Sequence, residues 1–272
     1  MKVAFQGLRG AYSEVALLRH FKGAEPLGMP FSEQVFEAVE KGRADYGFVP
    51  VENSIAGGVG VNCDLLLARP VFAVAESYLH IEHCLLGSPG AALADVEVVY
   101  SHPVALAQCR EFLNGRHIRA VPEYDTAGAA ELVAGRMDKK EAAIASKACA
   151  EAYGLKVLAE DIQAVKGNFT RFLAFQREKE VPKGLKMEKT SLAFAVKHHP
   201  GALLNCLKRF ADHKINLTKL ESRPIPENPF EYVFFVDFLG GLDDAQVKEA
   251  LAQLQFDARQ VKVLGSYPLG RR

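Results

Sequence analysis

The chain has 272 residues, and its 33 lysines and arginines balance 33 aspartates and glutamates, so the formal net charge is zero at pH 7. A balanced charge gives no overall field that would draw the protein to nucleic acid or to an anionic membrane, so the expected partners are small molecules or proteins. Hydrophobic residues make up 49% of the sequence, which is enough for one large core or two smaller ones, and typical domain sizes favour two.

The targeting and redox signals of the sequence predict a reducing cytoplasm. The segment Met1–Gly7 predicts a first strand that runs into a glycine turn, without the apolar stretch of a signal peptide. No window of the sequence approaches a membrane span. The five cysteines form neither a CxxC pair nor a close cluster, which argues against a zinc site or a disulfide scaffold.

Residues 1 to about 160 alternate short apolar runs with amphipathic stretches, which is typical of an α/β domain. Strands joined by crossover helices run parallel, and ligands of such sheets bind at the carboxyl ends of the strands. Strands are predicted at Val3–Phe5, Tyr46–Val51, Val96–Tyr100, Ile118–Val121 and Ala142–Ala145, and helices at Ser13–Phe21, Asp64–Ala68, Pro103–Leu113, Thr126–Arg136 and Lys147–Tyr153. The polar groups at the predicted strand ends are Gln6 with Ser13, Glu52-Asn53-Ser54, Ser101-His102 and Asp125-Thr126.

A charged stretch from residue 177 to residue 189 contains Pro and Gly and shows no sustained period, so it predicts a linker. The elements predicted after it follow the order βαββαβ of a ferredoxin-like module. The sheet of such a module has one face covered by helices and one face free to meet a partner, which favours a paired regulatory domain. The predicted elements are strands at Thr190–Val196, Ile215–Pro224, Glu231–Leu239 and Gln260–Tyr267, and helices at Ala202–His213 and Asp243–Leu254.

The segment Asn168-Phe169-Thr170-Arg171-Phe172 sets a hydroxyl and a guanidinium side by side in an apolar run that predicts a buried strand. An unpaired hydroxyl or charge would be costly there, so both groups need partners, and a substrate is one candidate. The alternative is an edge strand with Arg171 solvated. Because adjacent strand residues face opposite sides, Thr170 and Arg171 can both point into one cleft only if the strand ends or bulges there.

Two other strand ends carry polar groups. Val49–Ser54 ends in a carboxylate, an amide and a hydroxyl, and the glycines after it allow a ligand to approach the backbone, although a capped turn that starts the next helix explains the same residues. Ser101-His102-Pro103 ends another strand and starts a helix with Pro in its first turn. Gln108 faces the same general direction as Ser101 but lies about 10 Å farther along the axis, so a small ligand would touch both only in a long cleft.

The motifs of common metal and cofactor sites are missing from the sequence. His80-Ile81-Glu82-His83 resembles a metal site only superficially, because strand positions three apart point to opposite faces and no cluster completes the ligands. The sequence contains no GxGxxG fingerprint, P-loop or GxSxG elbow. We therefore predict neither a metal nor a cofactor, and no covalent nucleophile is evident.

Taken in order, the motifs of this chain resemble those of the prephenate dehydratase family over nearly the whole sequence. They are Gly7–Glu14, Val49–Ser54, Ser101-His102-Pro103 with Gln108, and above all Asn168–Phe172. Two further segments, His199–Leu203 and Ile215–Pro224, are similar to the ACT domain with which that family binds phenylalanine. The resemblance implies a two-lobed, periplasmic-binding-protein-like (type II) catalytic domain over residues 1–177, a linker over 178–189 and a βαββαβ ferredoxin-like ACT regulatory domain over 190–268.

The resemblance also implies a lyase of phenylalanine biosynthesis that converts prephenate to phenylpyruvate with loss of carbon dioxide and water. Thr170 would donate a hydrogen bond to the departing hydroxyl, and Arg171 would either hold a substrate carboxylate or anchor its strand. The closest alternative is arogenate dehydratase, which acts on the amino analogue, and an alternative of another class is a non-catalytic amino-acid-binding sensor. The residues expected to bind the substrate are Ser13, Asn53, Ser54, Ser101, Gln108, Arg171 and Phe172.

The ACT resemblance implies feedback inhibition by L-phenylalanine, bound between paired ACT domains of a cytoplasmic homodimer or homotetramer. An alternative is that the ACT module only pairs the chains. The residues expected to hold L-phenylalanine are Gly201, Ala202, Leu203, Leu204, Asn216 and Leu217, and the residues of a further ACT motif are Glu221, Ser222, Arg223 and Pro224.

Overall fold

The computed structural model describes residues 1–180, 187–225 and 228–270, without the side chains of Pro229 and Phe230. The first lobe contains β1 (Lys2–Gln6), α1 (Tyr12–His20), β2 (Glu25–Met29), α2 (Ser32–Glu40), β3 (Tyr46–Asn53), β4 (Gly57–Gly58), α3 (Gly60–Ala68) and β5 (Val71–His80). The second lobe contains β6 (Cys84–Gly87), β7 (Val98–Ser101), α4 (Pro103–Gln108), α5 (Arg110–Asn114), β8 (Arg119–Pro122), α6 (Thr126–Arg136), β9 (Glu141–Ala145), α7 (Lys147–Tyr153) and β10 (Lys156–Ala159). The chain then returns to the first lobe as β11 (Phe169–Arg177).

Each lobe has a five-stranded arrangement with the same internal plan. The first-lobe order is β2-β1-β3-β11-β5, and the second-lobe order is β8-β7-β9-β6-β10. In both lobes the first three strands of the order are parallel, as predicted, whereas β11 and β6 are antiparallel to their neighbours. These two strands enter from the opposite lobe, which reverses their direction and corrects the expectation of parallel pairing throughout.

The two connections between the lobes run side by side. One links β5 to β6 through residues 81–83, and the other links β10 to β11 through residues 160–168. A backbone hydrogen bond of 2.8 Å from the Ile81 amide to the Asn168 carbonyl ties the two connections together. The cleft between the lobes therefore has a hydrogen-bonded floor, and the predicted two-lobed α/β architecture is confirmed.

The C-terminal part folds in the predicted βαββαβ order. Its elements are β12 (Lys189–Val196), α8 (Ala202–Asp212), β13 (Leu217–Ile225), β14 (Asn228–Leu239), α9 (Ala245–Asp257) and β15 (Ala258–Tyr267). The sheet order is β13-β14-β12-β15, and one parallel bridge between Gly265 and Ala73 joins β15 to β5. Side chains from one face of this sheet, among them Leu192, Phe194, Val236 and Phe238, pack in one core with residues of α8 and α9.

The other face of the C-terminal sheet is not free, which corrects the sequence-based expectation. It packs on the first lobe, because side chains that alternate with the helix-facing ones belong to the first-lobe core. Within the described residues, the edge strand of this sheet is β13, which pairs with β14 alone. The C-terminal residues of the shared core are Ala193, Phe235, Leu264 and Tyr267, and their first-lobe neighbours include Val49, Val51, Cys63, Leu66 and Phe175.

Two further observations bear on the predictions. Most of the predicted linker over 178–189 lies outside the described residues, which omit 181–186, so the domain boundaries stay a prediction. Among the described helices, none combines the length and the hydropathy that a membrane crossing requires.

Candidate active site

A cavity of about 530 Å³ lies between the two lobes. Its walls come from the carboxyl ends of β1 and β3, from the first turns of α1, α4 and α6, from the segment that leads into α3, and from both lobe connections. This is where the crevice of an α/β sheet places its ligands. A volume of this size suits a small organic molecule.

Thr170, the second residue of β11, lines this cavity beside Asn53 at the end of β3. The Asn53 amide is oriented by the backbone, because its Oδ1 accepts hydrogen bonds from the amides of Ile55 (3.1 Å) and Ala56 (2.8 Å). Its Nδ2 therefore donates, and it reaches Thr170 Oγ1 at 3.0 Å. Since Asn53 supplies the proton in that bond, the hydroxyl proton of Thr170 remains available for a ligand in the cavity.

A line of side-chain hydrogen bonds continues from Asn53 across the floor of the cavity. Asn53 Nδ2 also donates to Asn168 Oδ1 (2.7 Å), and Asn168 Nδ2 donates to Gln108 Oε1 (3.1 Å). Gln108 Oε1 lies 2.8 Å from His83 Nε2, and His83 Nδ1 lies 2.8 Å from the hydroxyl of Tyr12. All five side chains line the cavity, so the polar groups of both lobes form one connected network there.

The electrostatic character of the cavity comes from helix ends, from neutral side chains and from one carboxylate, Asp125. None of the described lining residues is a lysine or an arginine. The N-caps of α1 and α3, Ala11 and Val59, contribute no side-chain hydrogen bond, so the first amides of both helices are open to an anion. Burial lowers the pKa of His83 and of His102 from the ordinary value of 6.5, although Gln108 and Asp125 respectively act in the opposite direction. Both imidazoles are therefore neutral near pH 7.

Comparisons with known proteins indicate the same family over nearly the whole chain. The family model for prephenate dehydratase matches residues 3–180, and the model for the ACT domain matches residues 190–256. The chain is 39% identical to arogenate dehydratase/prephenate dehydratase 1, chloroplastic, of Arabidopsis thaliana, over 99% of this chain and 72% of that protein. The chain belongs to the prephenate dehydratase family.

Two of the solved structures similar to this family member are described as different kinds of enzyme. Prephenate dehydratase from Arthrobacter aurescens, in complex with L-Phe, has a TM-score of 0.90 at 32% identity, covering 99% of this chain and 90% of that chain. A structure described as GqqA, a novel type of quorum quenching acylase, has a TM-score of 0.89 at 36% identity, covering 98% of both chains. The predicted family, its fold with a C-terminal ACT domain, and its class as a dehydratase of the lyase type are confirmed.

Several residues that are predicted to bind the substrate of this prephenate dehydratase family member lie together at the cavity. Four of the predicted residues line it together with Thr170, namely Ser13, Asn53, Gln108 and Phe172. Phe172 lies two positions after Thr170, on the same face of β11, and its ring stacks on Phe48 with a centroid distance of 5.1 Å. Gln108 reaches the cavity although it lies at the last turn of α4, because Asn168 and His83 hold its amide there.

Ser101 and Ser54 do not line this cavity, although both are among the residues predicted to bind the substrate. The Ser101 hydroxyl is buried at the end of β7 and donates to the Ile144 carbonyl at 2.6 Å, so it stabilises the second-lobe sheet. The Ser54 hydroxyl donates to the Gly167 carbonyl (3.2 Å) and accepts from the Phe169 amide (2.9 Å). It fixes the start of β11 and lies on the other side of the strand from the cavity.

Arg171 does not line the cavity and faces the other side of β11. Its side chain is only 5% exposed and pairs with Glu52 (3.2 Å), with Glu76 (3.3 Å) and with Asp237 of β14. Burial alone would lower the pKa of the guanidinium, but the surrounding carboxylates raise it above its ordinary value, so the charge persists. Of the two roles left open by the sequence, the structure supports the anchor, and the anchored partner is the C-terminal domain.

The predicted effector residues lie at two ends of the C-terminal sheet. Gly201, with a φ of 81°, is the N-cap of α8 and starts the helix that contains Ala202, Leu203 and the 68% exposed Leu204. Leu217 starts β13, which runs parallel to β12, whereas Gly201 follows the end of β12. The register of the sheet therefore separates Leu217 and its neighbour Asn216 from the start of α8 by roughly 20 Å.

The further ACT motif divides between two faces of β13. Glu221 and Arg223 face the first lobe, whereas Ser222 and Pro224 are exposed. Arg223 donates twice to Asp64 of α3, at 2.9 and 2.6 Å. Gly58 and Gly60 lie directly beneath Glu221 and Arg223, where a Cβ on either glycine would collide with the side chain above it.

Several cavity residues were missing from the predicted set. Tyr12 and Asn168 lie within the motifs that carried the resemblance, but no local pattern assigned either of them a contact. The sequence offers His83 only as part of a superficial metal motif, because its partners Tyr12 and Gln108 are far from it in the chain. Within the described ranges, no group of three or more His, Cys, Asp or Glu side chains could hold a metal ion, and the expectation about metals and cofactors stays a prediction.

Proposed function

We propose that the protein converts prephenate to phenylpyruvate, with release of carbon dioxide and water. The observation that carries this proposal is the Thr170 hydroxyl, which accepts from Asn53 and keeps its own proton for a ligand in the interlobe cavity. A single oriented donor suits the reaction, because a hydroxyl group must leave the substrate ring. Phe172 offers an apolar wall on the same face of the strand, where the ring can lie.

The reaction requires little more from the protein than positioning of the substrate. The bond between the ring and its carboxylate breaks, its electron pair enters the ring, and the hydroxyl on the opposite carbon leaves with its bonding electrons. That hydroxyl takes a proton and departs as water, while the carboxylate departs as carbon dioxide and the ring becomes aromatic. Thr170 is too weak an acid to supply the proton fully, so its role is to stabilise the charge that develops on the leaving oxygen, with the proton coming from water.

The cavity offers different surroundings to the two carboxylates of prephenate. The side-chain carboxylate can bind the open amides at the start of α1 or α3, where the helix dipole favours an anion. The ring carboxylate must lose its charge as carbon dioxide, and it does so more readily where no cation stabilises it. A cavity whose described lining lacks lysine and arginine fits that requirement.

Arogenate is the second candidate substrate. It carries an ammonium where prephenate carries a keto oxygen, and Asp125, the carboxylate among the described lining residues, could pair with that ammonium. The similar Arabidopsis thaliana protein is named for both activities. Side-by-side turnover of the two compounds by the purified protein decides between them.

Two other functions receive less support from the cavity. An acylase needs an activated nucleophile, and the partner of Thr170 is the Asn53 amide, which cannot act as a base. A non-catalytic sensor would bind L-phenylalanine and leave prephenate unchanged, and the oriented Thr170 donor argues against it.

We propose that the protein works in the reducing cytoplasm. This proposal is supported by the five cysteines, which are buried with free thiols.

The deciding experiment is an ultraviolet assay of phenylpyruvate formation with purified protein. We expect turnover of prephenate by the native chain and a loss of about 10²- to 10³-fold in kcat for Thr170→Val, the range for one preorganised donor. Thr170→Ser, which keeps the hydroxyl, is the matched control and should retain most of the activity. Absence of turnover by the native chain with either substrate would refute the proposal.

We further propose that L-phenylalanine inhibits the enzyme by binding between the ACT domains of two chains. The effector residues of one chain lie too far apart for one amino acid, since roughly 20 Å separates Leu217 from the start of α8. If the β13 edges of two chains pair antiparallel about a two-fold axis, the start of β13 in one chain approaches the α8 end of the other. A homodimer then completes both effector sites, and a homotetramer would pair two such dimers.

Mixed dimers test this regulation. Leu204→Asp alters one half of the proposed site at an exposed position, and Asn216→Leu alters the other half. Each variant alone should lose inhibition by L-phenylalanine, whereas co-expression of the two should restore part of it, because a mixed dimer contains one unaltered site. If the mixture is as insensitive as the separate variants, the site does not span two chains.

A further inference from the structure

We propose that His83 is a positioning residue for the dehydration, which acts by holding the Gln108 amide. This inference rests on the proposed function, and it concerns a residue that does not need to touch the substrate. His83 lies in the short connection between β5 and β6, and only 3% of it is exposed. Its two ring nitrogens contact one residue from each lobe, Tyr12 of α1 and Gln108 of α4.

The direction of every bond in the network can be traced from the backbone. The Ala56 and Ile55 amides occupy Asn53 Oδ1, so Asn53 Nδ2 must point at Asn168 and Thr170. Asn168 therefore presents Oδ1 to Asn53 and Nδ2 to Gln108. Gln108 receives that donor on Oε1, so the 2.8 Å contact from His83 to the same oxygen requires a proton on His83 Nε2.

This reasoning also assigns the other nitrogen of His83. A neutral imidazole protonated at Nε2 has an acceptor at Nδ1, and the Tyr12 hydroxyl lies 2.8 Å from this nitrogen and 2.8 Å from the Glu82 carbonyl, so two acceptors share its single proton. Burial raises the pKa of the Tyr12 hydroxyl well above its ordinary value, so the phenol keeps its proton and can donate. Burial also lowers the pKa of His83. The connection itself is fixed, because the His83 backbone amide donates to Gln163 Oε1 at 2.8 Å.

The consequence lies at the other end of the network. With two donors on Oε1, the Gln108 amide cannot rotate, and its two N–H groups stay directed away from His83 and Asn168, towards the cavity that Gln108 lines. Without the proton on His83 Nε2, Gln108 could turn its Nε2 towards Asn168. Asn168 would then lose an acceptor, and the orientation of Asn53 and Thr170 would rest on the backbone bonds alone.

Three variants at position 83 separate this role from simple packing. In Gln, the side-chain Nε2 can replace the imidazole Nε2 and donate to Gln108. In Asn, the shorter amide can reach Tyr12 but not Gln108. Leu removes both bonds and keeps a buried volume. We expect His83→Asn and His83→Leu to lower kcat by about 10- to 100-fold, as for other outer-shell partners, with a smaller change in KM. His83→Gln should restore most of the lost activity.

Two measurements complete the test. In a ¹⁵N-labelled protein, the imidazole of His83 should show a protonated Nε2 and an unprotonated Nδ1 at pH 7. In a double-mutant cycle, His83→Leu should cost little in a Gln108→Leu background, because the residue acts through that amide. Thermal unfolding of each variant identifies any general loss of structure.

The outcomes distinguish this inference from the proposed function. A native chain that does not turn over either substrate would refute the function, whereas the tautomer of His83 could still be measured. Native turnover with His83→Gln as impaired as a folded His83→Leu variant, or with additive losses in the double variant, would overturn the positioning role. A protonated Nδ1 with a bare Nε2 would do the same.

Discussion

Thr170 and Arg171 are adjacent in sequence and face opposite sides of β11, so that one borders the interlobe cavity and the other is buried against the C-terminal domain. Thr170 is oriented by Asn53 of β3, while Arg171 pairs with Glu52 of the same strand. The two strands are paired in register at these positions, with Thr170 opposite Asn53 and Arg171 opposite Glu52. A movement of the C-terminal domain against β11 would therefore also shift the Thr170 hydroxyl.

Replacing Arg171 should affect stability more than substrate binding. Arg171→Met leaves the buried carboxylates of Glu76 and Asp237 without their shared guanidinium. Breaking a buried ion pair in this way typically costs about 3–5 kcal/mol. Urea unfolding monitored by circular dichroism should show that loss, with KM for the substrate little changed in protein that remains folded. A raised KM at unaltered stability would place Arg171 in substrate binding instead.

Replacing Asn53 by aspartate should reverse the bond to Thr170. The aspartate side chain has the shape of the asparagine but no Nδ2, so the Thr170 hydroxyl would donate to the new carboxylate and turn its proton away from the cavity. We expect Asn53→Asp to lower kcat by about 10²- to 10³-fold, as much as the removal of the hydroxyl. Steady-state kinetics of the Asn53→Asp and Thr170→Val variants and their combination measure this. A combined loss equal to the product of the single losses would contradict it.

Strand alternation and strand ends predicted the position of several residues at the cavity. Thr170 and Phe172 share the cavity face of β11 because they are two positions apart, and Asn53 meets Thr170 because β3 and β11 are paired there. Ser101 shows the limit of the same reasoning. It also ends a strand, but its hydroxyl turns sideways to the Ile144 carbonyl of the neighbouring strand, and nothing in the local pattern distinguishes those two directions.

Features that depend on distant parts of the chain were not predictable. The strands β2, β4, β5, β6 and β10 and the helix α2 are not among the predicted elements, and the antiparallel insertion of β6 and β11 follows from exchange between lobes rather than from any local signal. The helix predicted over Pro103–Leu113 is divided at Cys109 into α4 and α5. The covered face of the C-terminal sheet was missed for a related reason, since its alternating apolar residues fit a partner chain as well as they fit the first lobe.

The buried imidazole of His83 should make folding depend on pH. Its pKa in the folded chain is lowered from 6.5, so the unfolded chain takes up a proton more readily than the native chain does. Its contribution to stability is complete above the unfolded pKa of 6.5 and is lost as the pH falls from there towards the folded pKa. Comparing the free energy of unfolding of the native chain and of His83→Gln at about pH 7.5 and pH 5 isolates this effect, because the other titrating groups are shared. A difference that does not change with pH would contradict it.

The ion pair between Arg223 and Asp64 should transmit the proposed effector response. It joins β13 to α3 by two hydrogen bonds, and Gly58, which borders the cavity, lies beneath the neighbouring Glu221. Because inhibition requires the two sites to be coupled, breaking this pair should weaken inhibition while leaving turnover without effector nearly unchanged. We expect Asp64→Asn to raise the L-phenylalanine concentration for half inhibition by about fivefold or more.

The matched control for this coupling is an ion pair that stays within the C-terminal domain. Arg259 pairs with Glu231 at 2.6 Å and does not reach the first lobe through that bond. Arg259→Gln should therefore leave the inhibition curve in place, because exposed pairs of this kind contribute little on their own. Calorimetric titration with L-phenylalanine then separates coupling from binding, since Asp64→Asn should still bind the effector. Equal shifts in both variants would show that β13 does not carry the signal to the cavity through Asp64.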